Sequence, residues 1–464
     1  MASPNNGSSR DTCAALVAGV NRGVRRSSAR IELVGERPFG PALRLAEFRL
    51  GNGLGVLLLV DRSAPVLSFQ TWFRVGSRDD PPGKTGLAHF LEHLMFNETE
   101  NLPPGAFDRV LEAAGAETNA ATWVDYTCYY VTLPSSELDL VARLEAERMA
   151  RLRLSEPLVA AEREVVANER LLRVDDDVEG TANETLYRTA FRRHPYGQPT
   201  VGWMADIRGF GVRDCQRFYR RYYAPNNATI VLVGDMEPGA ALRTLQKHYG
   251  RLKATRINAS SADREPPQRA ERRIVLERPA TSPKLLLGYR TPAARERDHV
   301  VLTVLNELLC GGRSSRLYRE LVLQHEIASE VRGLLAPFRD PGLYEIWVAL
   351  RQDREVEDAL VIIERRFREL AQGRVKVREL DRGKRRIELD FWQALETAGG
   401  KADQIGFHAA VLGNAGELFE RLELLEGVTG GDLQRVARRY LSPRTRTQVV
   451  VKPSPAEPAA GGCP

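Results

Sequence analysis

An internal repeat constrains the fold of this chain more than any other feature of its sequence. The segment DCQRFYRRYYAPNNATIVLVG, which begins at Asp214, aligns without gaps with DLQRVARRYLSPRTRTQVVVK, which begins at Asp432, an offset of 218 residues. Each copy has the pattern of a helix, a proline break and an apolar strand. The repeat therefore predicts that the chain contains two copies of one α/β domain.

The region between the two copies is typical of an interdomain linker. Residues 256–273 are polar and contain prolines, and they show no apolar periodicity. We predict five regions along the chain: a disordered or targeting tail at 1–40, an N-terminal domain at 41–255, the linker at 256–273, a C-terminal homologous domain at 274–455 and a flexible tail at 456–464.

Composition excludes several classes of protein. The chain of 464 residues has 67 basic and 61 acidic side chains, and these are interspersed, so no nucleic-acid partner is expected. No apolar run approaches the roughly 18 residues that a membrane helix needs, so no membrane span is expected. The five cysteines are widely spaced and form no C-x-x-C pair, which argues against a disulfide framework and against a thiolate zinc site. We expect a cytoplasmic location; the apolar stretch from Cys13 to Val20 leaves a periplasmic or secreted location open.

The pentapeptide HFLEH predicts a metal site. His89 and His93 are four residues apart in a segment that reads as a helix with Thr85 as its cap, so the two imidazoles lie on one face. Glu92 lies beside them and can accept a proton from a water molecule that a zinc ion has acidified. The H-x-x-E-H pattern is that of the inverzincins. It predicts a catalytic Zn²⁺ with Glu92 as the general base.

A catalytic zinc needs a third protein ligand, and the segment AEREVVANER offers three glutamates. Glu162 and Glu169 share a helical stripe with Leu158 and Val165, which marks that stripe as inward-facing. The two carboxylates are about 10 Å apart along the helix axis at 1.5 Å per residue, so they do not both bind one metal. One is a candidate ligand and the other supports the site, while Glu164 lies on a solvated face.

These segments resemble the pitrilysin-type or M16 metallopeptidases, which include insulin-degrading enzymes and the mitochondrial processing peptidases. The resemblance covers nearly all of residues 40–455, and it rests on HFLEHLMF, LPPGAFDRVLEAAGAETNAATWVDYTCYY, EREVVANE, HPYG and YYAPNNATIVLVGD. It implies an α+β fold in which each duplicated domain has a mostly antiparallel sheet with helices packed on it. The two domains would form half of a chamber that encloses a peptide. The family pattern E-R-x(5)-E falls on Glu162, Arg163 and Glu169, which implies that Glu169 is the third ligand and Glu162 the supporting carboxylate.

The same resemblance implies where a peptide substrate binds. The segment from Asn119 to Tyr130 is similar to the edge strand to which an extended peptide adds in this family. Asn119 and the backbone of Ala120 would hold that peptide near the metal.

The second copy has lost the metal residues, because the 218-residue offset places Glu307 opposite His89 and Cys310 opposite Glu92. In many single-chain members of the family, an arginine and a tyrosine of the second domain help to bind substrate. This chain has Val322 and Ser329 at those positions. The departure implies a homodimer, or a heterodimer with a metal-free paralogue that supplies the missing pair.

The sequence therefore predicts a zinc-dependent endopeptidase that hydrolyses short or unfolded peptides, with a partner subunit required for full activity. Two other interpretations stay open. One is a non-catalytic scaffold or assembly subunit of a larger complex. The other is a site-specific peptidase that processes presequences.

Overall fold

The computed structural model describes residues 7–257 and 263–454, with side chains described from Cys13 onward. These residues divide into two compact units. The first contains residues 7–167, 200–257 and 392–419, and the second contains residues 168–199, 263–391 and 420–454. The predicted tail at 456–464 and part of the predicted linker at 256–273 lie outside the described residues.

The described residues form twelve strands and fifteen α-helices, joined by short 3₁₀ and π-helical turns. The strands are β1 (Ile31–Phe39), β2 (Leu43–Leu50), β3 (Gly55–Val60), β4 (Val66–Phe73), β5 (Glu117–Thr122), β6 (Thr127–Pro134), β7 (Ala228–Gly234), β8 (Arg272–Pro279), β9 (Lys284–Arg290), β10 (Ala328–Leu335), β11 (Leu343–Leu350) and β12 (Arg446–Ser454). The helices are α1 (Gly7–Val20), α2 (Leu87–Leu94), α3 (Ala106–Ala113), α4 (Leu138–Arg151), α5 (Glu156–Arg170), α6 (Val178–Ala190), α7 (Met204–Arg208), α8 (Val212–Tyr222), α9 (Pro238–Tyr249), α10 (Arg297–Cys310), α11 (Val356–Ala371), α12 (Val377–Ala394), α13 (Ala398–Phe407), α14 (Glu417–Glu426) and α15 (Gly430–Tyr440).

The two sheets have the same core topology. In the described part of the first unit, seven strands lie in the order β1-β2-β3-β7-β4-β6-β5, and in that of the second unit five lie in the order β8-β12-β9-β11-β10. In each sheet one pair is parallel, β3 with β7 and β8 with β12, and the other pairs are antiparallel. The strand β8 therefore corresponds to β3, and β12 to β7. The predicted fold of two homologous, mostly antiparallel sheets with packed helices is confirmed.

Equivalent helices are exchanged between the two halves of the sequence. The helix α6 lies in the first half of the sequence, yet it packs on β8, β9 and β12 of the second unit. The 218-residue offset carries α6 onto residues 396–408, which include α13, and α13 packs on β4 and β7 of the first unit. Each sheet is thus covered in part by a helix from the other half of the chain.

Two elements differ from the sequence-based expectations. Part of the segment 1–40, for which we predicted a disordered or targeting tail, forms α1 and β1. The strand β1 pairs with β2, and the side chains of Ile31 and Phe39 at its ends are buried.

Among the described residues, none of the helices has both the length and the apolar character that crossing a membrane requires.

The second difference concerns the segment from Asn119 to Tyr130, which forms a hairpin of β5 and β6 and not one edge strand. The chain reverses where the N–H of Trp123 donates to the carbonyl oxygen of Tyr126 at 2.9 Å. Asp125 in this turn forms a buried ion pair with Arg78, with 2.7 Å between Nη1 and Oδ1. A buried carboxylate needs such a partner, so this pair holds the turn, and only β5 lies at the sheet edge.

Candidate metal centre

The helix α2 directs its apolar and polar side chains to different sides. Phe90, Leu91 and Leu94 are buried in the core of the first unit. The predicted ligands His89 and His93 are half-buried, and their ring centroids are 4.7 Å apart. The spacing of four residues therefore brings the two imidazoles together as the sequence predicted, with Glu92 between them on the same helix.

The N-terminus of α2 is held by Asp80, which the sequence analysis did not identify. The Asp80 carboxylate accepts hydrogen bonds from the N–H groups of Gly86 at 2.7 Å and Ala88 at 2.8 Å. Burial raises the pKa of Asp80 well above its ordinary value, against the opposing effect of these backbone hydrogen bonds. The expectation that Thr85 caps this helix is wrong, because its hydroxyl donates instead to Asp206 Oδ2 at 2.6 Å.

The helix α5 brings Glu162 to His93. The His93 Nδ1 and Glu162 Oε1 atoms are 3.0 Å apart, and Glu162 Oε2 accepts a hydrogen bond from Asn97 Nδ2 at 3.2 Å. Because a carboxylate accepts, His93 Nδ1 carries the proton in this contact, which leaves Nε2 as the nitrogen that can bind a cation. Asn97 was also missed by the sequence analysis, since nothing in its spacing from Glu162 marks the contact.

The three predicted metal ligands lie together. His89, His93 and Glu169 each present one ligand atom, and these atoms lie within 4.8 Å of one another. The boundary between the compact units falls after Ala167, but α5 continues as one helix to Arg170, so the same helix positions Glu162 and Glu169.

Two imidazoles and one carboxylate match the donor set of catalytic zinc sites that keep a fourth position open. Glu169 Oε1 also forms an ion pair with Arg173 at 3.0 Å. The Arg173 side chain is 76% exposed, so this pair is weak and leaves room for exchange with a cation. The residues therefore fit a zinc ion.

The stripe predicted to face inward on α5 is shifted by one position. Val165 is 51% exposed, whereas Val159 and Val166 are buried. Glu162 and Glu169 are nevertheless half-buried and share a face, and Glu164 is exposed as expected. The shift occurs because Val159 and Val166, seven residues apart, form the packed stripe beside the one that carries the two carboxylates.

The predicted peptide-binding residues lie on the edge strand β5. Its side chains alternate between exposed and half-buried, and Asn119 is on the exposed side. The Asn119 Oδ1 atom accepts a hydrogen bond from the N–H of Ala120 at 2.8 Å. The free edge of β5 is the kind of surface to which an extended peptide adds main-chain hydrogen bonds.

The second unit carries other residues at the equivalent positions. Glu307 and Cys310 lie on α10, and no second cluster of metal-type ligands occurs among the residues that the structure describes. Val322 lies in a π-helical turn, Tyr318–Gln324, and Ser329 lies in β10, where its hydroxyl donates to the carbonyl oxygen of Ala349 at 3.3 Å.

Comparisons with known proteins agree with this architecture. Residues 56–202 match the family model described as Insulinase (Peptidase family M16), and residues 210–387 match the model described as Peptidase M16 inactive domain. The zinc protease PqqE of Helicobacter pylori is 32% identical over 410 residues, which cover 87% of this chain and 92% of that protein. An uncharacterized zinc protease of Streptomyces coelicolor is 26% identical, with 95% of both chains covered.

Solved structures share the fold. The crystal structure of a protease from Helicobacter pylori superposes with a TM-score of 0.84 at 31% identity, over 88% of this chain and 99% of that one. A crystal structure from Pseudomonas fluorescens, described as a peptidase M16 inactive domain, superposes with a TM-score of 0.81 at 18% identity, over 89% of this chain and 99% of that one. The chain therefore belongs to peptidase family M16.

Proposed function

We propose that this protein is a zinc-dependent endopeptidase that hydrolyses short or unfolded peptides. The observation that carries the proposal is the convergence of His89, His93 and Glu169 within 4.8 Å, with Glu92 on the same helix as the two histidines. Relatives named as zinc proteases support the choice of metal and of reaction class.

Each residue of the site has a distinct part in the proposed reaction. A bound zinc ion supplies Lewis-acid activation of water and polarises the scissile carbonyl. Glu92 accepts a proton from the attacking water and then donates it to the leaving amine nitrogen. Glu162 accepts the hydrogen bond from His93 Nδ1 and so leaves Nε2 as the nitrogen that would bind a metal.

The substrate is proposed to bind as an added strand on β5. Asn119 and the backbone of Ala120 would hold its main chain, which explains how one site accepts many side chains. In the described structure the Ala120 N–H donates to its neighbour Asn119, so the Asn119 side chain turns away when a peptide takes that hydrogen bond.

Metal analysis combined with a peptide assay tests the proposal. We expect one zinc per chain, hydrolysis of a quenched fluorescent peptide, loss of hydrolysis with a chelator and recovery on adding zinc. The Glu92→Gln variant is expected to keep the zinc and lose at least about 100-fold in kcat, since general-base catalysis contributes 10²–10⁴-fold. The exposed Glu164→Gln variant on α5 is the matched control. Full activity of Glu92→Gln with zinc bound would overturn the mechanism.

We further propose that full activity needs a second subunit, either another copy of this chain or a metal-free paralogue. Val322 and Ser329 support this, because they occupy the positions at which the family resemblance implies a substrate-binding arginine and tyrosine. Specific activity is expected to rise with protein concentration, or on addition of the paralogue. High turnover by a demonstrated monomer would contradict the requirement.

The same assays separate the other interpretations. Stoichiometric zinc without hydrolysis of any peptide would favour a scaffold or assembly subunit. Cleavage of a precursor at one site, with loose peptides left intact, would favour a presequence-processing peptidase.

The cytoplasmic location stays a prediction, which fractionation of cells that express the tagged chain would test.

A further inference from the structure

A second candidate binding site lies within the second unit. A cavity of about 970 Å³ is lined there by His194, Glu265, Arg290, Thr291 and Asp340, together with prolines of the 264–268 segment. This volume is in the range of pockets that enclose small organic ligands. All of these residues belong to the second unit, and none is among the proposed metal ligands or the edge strand β5.

Arg290, at the end of β9, is a half-buried cation, and Glu265 is the acid whose charge acts on it. Its guanidinium carbon lies 4.1 Å from the centre of the Phe191 ring, and among the described residues its Nη1 atom is buried without a hydrogen-bond partner. Burial lowers the pKa of Arg290 to about 10, with Glu265 opposing and Arg272 adding to the fall, so the group stays protonated at neutral pH. A buried guanidinium nitrogen without a hydrogen-bond partner is costly, and an anionic ligand that accepts a hydrogen bond from it would remove that cost.

Thr291 adds a neutral donor next to this cation. The residue is 4% exposed, and its Oγ1 atom is buried with no hydrogen-bond partner in the described part of the chain. Thr291 and Arg290 are consecutive and both line the cavity. Together they offer a guanidinium and a hydroxyl to one ligand.

One carboxylate oxygen of Glu265 is engaged with the backbone, and the other, Oε1, is buried without a hydrogen-bond partner among the described residues. Glu265 Oε2 accepts hydrogen bonds from the N–H groups of Arg192, Arg193 and His194 at 2.9, 2.7 and 3.0 Å. These contacts, opposed by burial and helped by the charge of Arg290, keep the pKa of Glu265 below its ordinary value. Glu265 therefore stays ionised and fixes the cavity wall.

The His-Pro-Tyr-Gly segment contributes to the wall of the same cavity through His194. His194 Nδ1 accepts the N–H of Tyr196 at 3.2 Å, so its Nε2–H is directed to Asp340 Oδ2 at 3.2 Å. The Tyr196 side chain is buried, and its hydroxyl accepts the N–H of Asp340 at 3.0 Å. These contacts place the His-Pro-Tyr-Gly segment at the second candidate site. The candidate metal centre does not use this segment.

We propose that this cavity binds a carboxylate, of the kind that the free C-terminus of a short peptide presents, through Arg290 and Thr291. A planar guanidinium matches a carboxylate with two parallel hydrogen bonds. The carboxylates of Glu265 and Asp340 in the same cavity would repel a doubly charged phosphate, so a singly charged anion fits better. The peptide as the source of the carboxylate rests on the proposed function, whereas the carboxylate chemistry does not.

Calorimetric titration of the full chain tests this site. The protein is treated with EDTA so that no ligand binds through zinc, and it is titrated with acetyl-dialanine, with its C-terminal amide and with acetate. We expect the acid to bind at least 10-fold more tightly than the amide and than acetate. Acetate binding as tightly as acetyl-dialanine would keep the carboxylate site but overturn the peptide as its source. Equal binding of the acid and the amide, or no binding of either, would overturn the site itself.

Variants assign the binding to the cavity. Arg290→Met is expected to weaken binding of acetyl-dialanine at least 10-fold, to the level of the amide. The exposed Arg269→Met variant, at a residue that does not line the cavity, is the control and is expected to stay within two-fold. If Arg290→Met does not fold, Arg290→Lys takes its place, because lysine keeps the positive charge but lacks the planar guanidinium. Arg290→Lys is expected to weaken the binding of acetyl-dialanine and to leave the binding of its amide unchanged. Unchanged affinity in the folded Arg290 variant contradicts the proposal, whether or not the protein hydrolyses peptides.

Discussion

The backbones of Gly86 and Gly202 approach each other at the N-terminus of α2 so closely that neither position has room for a Cβ atom. A Cβ on Gly202 would lie 2.2 Å from the carbonyl oxygen of Thr85, and one on Gly86 would lie 2.3 Å from that of Val201. Both glycines have positive φ, 91° and 87°. The helix that carries His89 is therefore anchored by a contact that only glycine permits.

We predict that Gly202→Ala lowers both stability and peptide hydrolysis. The left-handed backbone costs an alanine roughly 1–2 kcal/mol, and the clash with Thr85 adds about 1–3 kcal/mol of overpacking. Relief of that clash displaces the N-terminus of α2, and His89 moves with it. The thermal midpoint and the specific activity are measured together. Gly83→Ala is the matched control, because Gly83 also has a positive φ of 71° but no atom within 4 Å of its Cβ position. Equal effects of the two variants would show that the close approach is unimportant.

We predict that Glu162→Gln weakens zinc binding without abolishing it. Glutamine keeps an acceptor for His93 Nδ1 but loses the negative charge that makes the imidazole a better ligand. Loss of such a supporting contact typically costs 10–100-fold in metal affinity or activity, so we expect about a 10-fold weaker affinity in competition with a chromophoric chelator. Glu164→Gln on the same helix is expected to bind zinc like the wild type. Unchanged zinc affinity in the Glu162→Gln variant would show that Glu162 does not support zinc binding.

The residues of the candidate metal centre could be predicted because their spacing follows helix geometry. His89 and His93 are four residues apart, and Glu162 and Glu169 are seven apart, so each pair lies on one helix face whatever the tertiary fold. The choice between the two glutamates depends on where α5 packs, which no local pattern fixes. Family resemblance supplied that choice, and the structure brings Glu169 to both histidines and Glu162 to His93.

The contacts that the sequence did not reveal are those between distant segments. Asp80 accepts hydrogen bonds from the N–H groups of residues six and eight positions later, where no capping pattern applies. Asp206 accepts a hydrogen bond from the hydroxyl of Thr85, which is 121 positions earlier in the chain. The exchange of α6 and α13 was likewise hidden, because a repeat shows which segments are equivalent and not which sheet each one covers. The cavity at Arg290 was missed for the same reason, since its walls come from separate parts of the chain.

We predict that Asn119→Ala raises KM for peptides and leaves kcat nearly unchanged. The side chain lies on the exposed face of the edge strand β5, so its removal takes away one substrate hydrogen bond and no core packing. A hydrogen bond of about 1 kcal/mol corresponds to roughly a five-fold change in KM. Glu117→Ala, two residues earlier on the same face, is the control for a general surface effect. A change in kcat alone would contradict a role for Asn119 in holding the peptide.

The buried His299 on α10 makes the stability of the second unit depend on pH. Burial and the neighbouring charge of Arg421 lower the pKa of His299 from 6.5 to about 4, against a hydrogen bond to the carbonyl oxygen of Ala336. Below about pH 6.5 the unfolded chain therefore binds a proton that the folded chain does not bind until about pH 4. His299 costs no stability above pH 6.5, and stability is lost as the pH falls from 6.5 toward 4.

We accordingly predict that His299→Gln removes much of the acid sensitivity of the second unit. From these pKa values the wild type loses about 2 kcal/mol of unfolding free energy between pH 7 and pH 5 through this residue, while glutamine carries no charge at either pH. Urea titrations at the two pH values measure the difference. The exposed His325→Gln variant is the control for a general effect of replacing a histidine by glutamine. A pH dependence in His299→Gln equal to that of the wild type would mean that other groups govern the acid response, because the His299 contribution cannot survive replacement by a side chain that does not titrate.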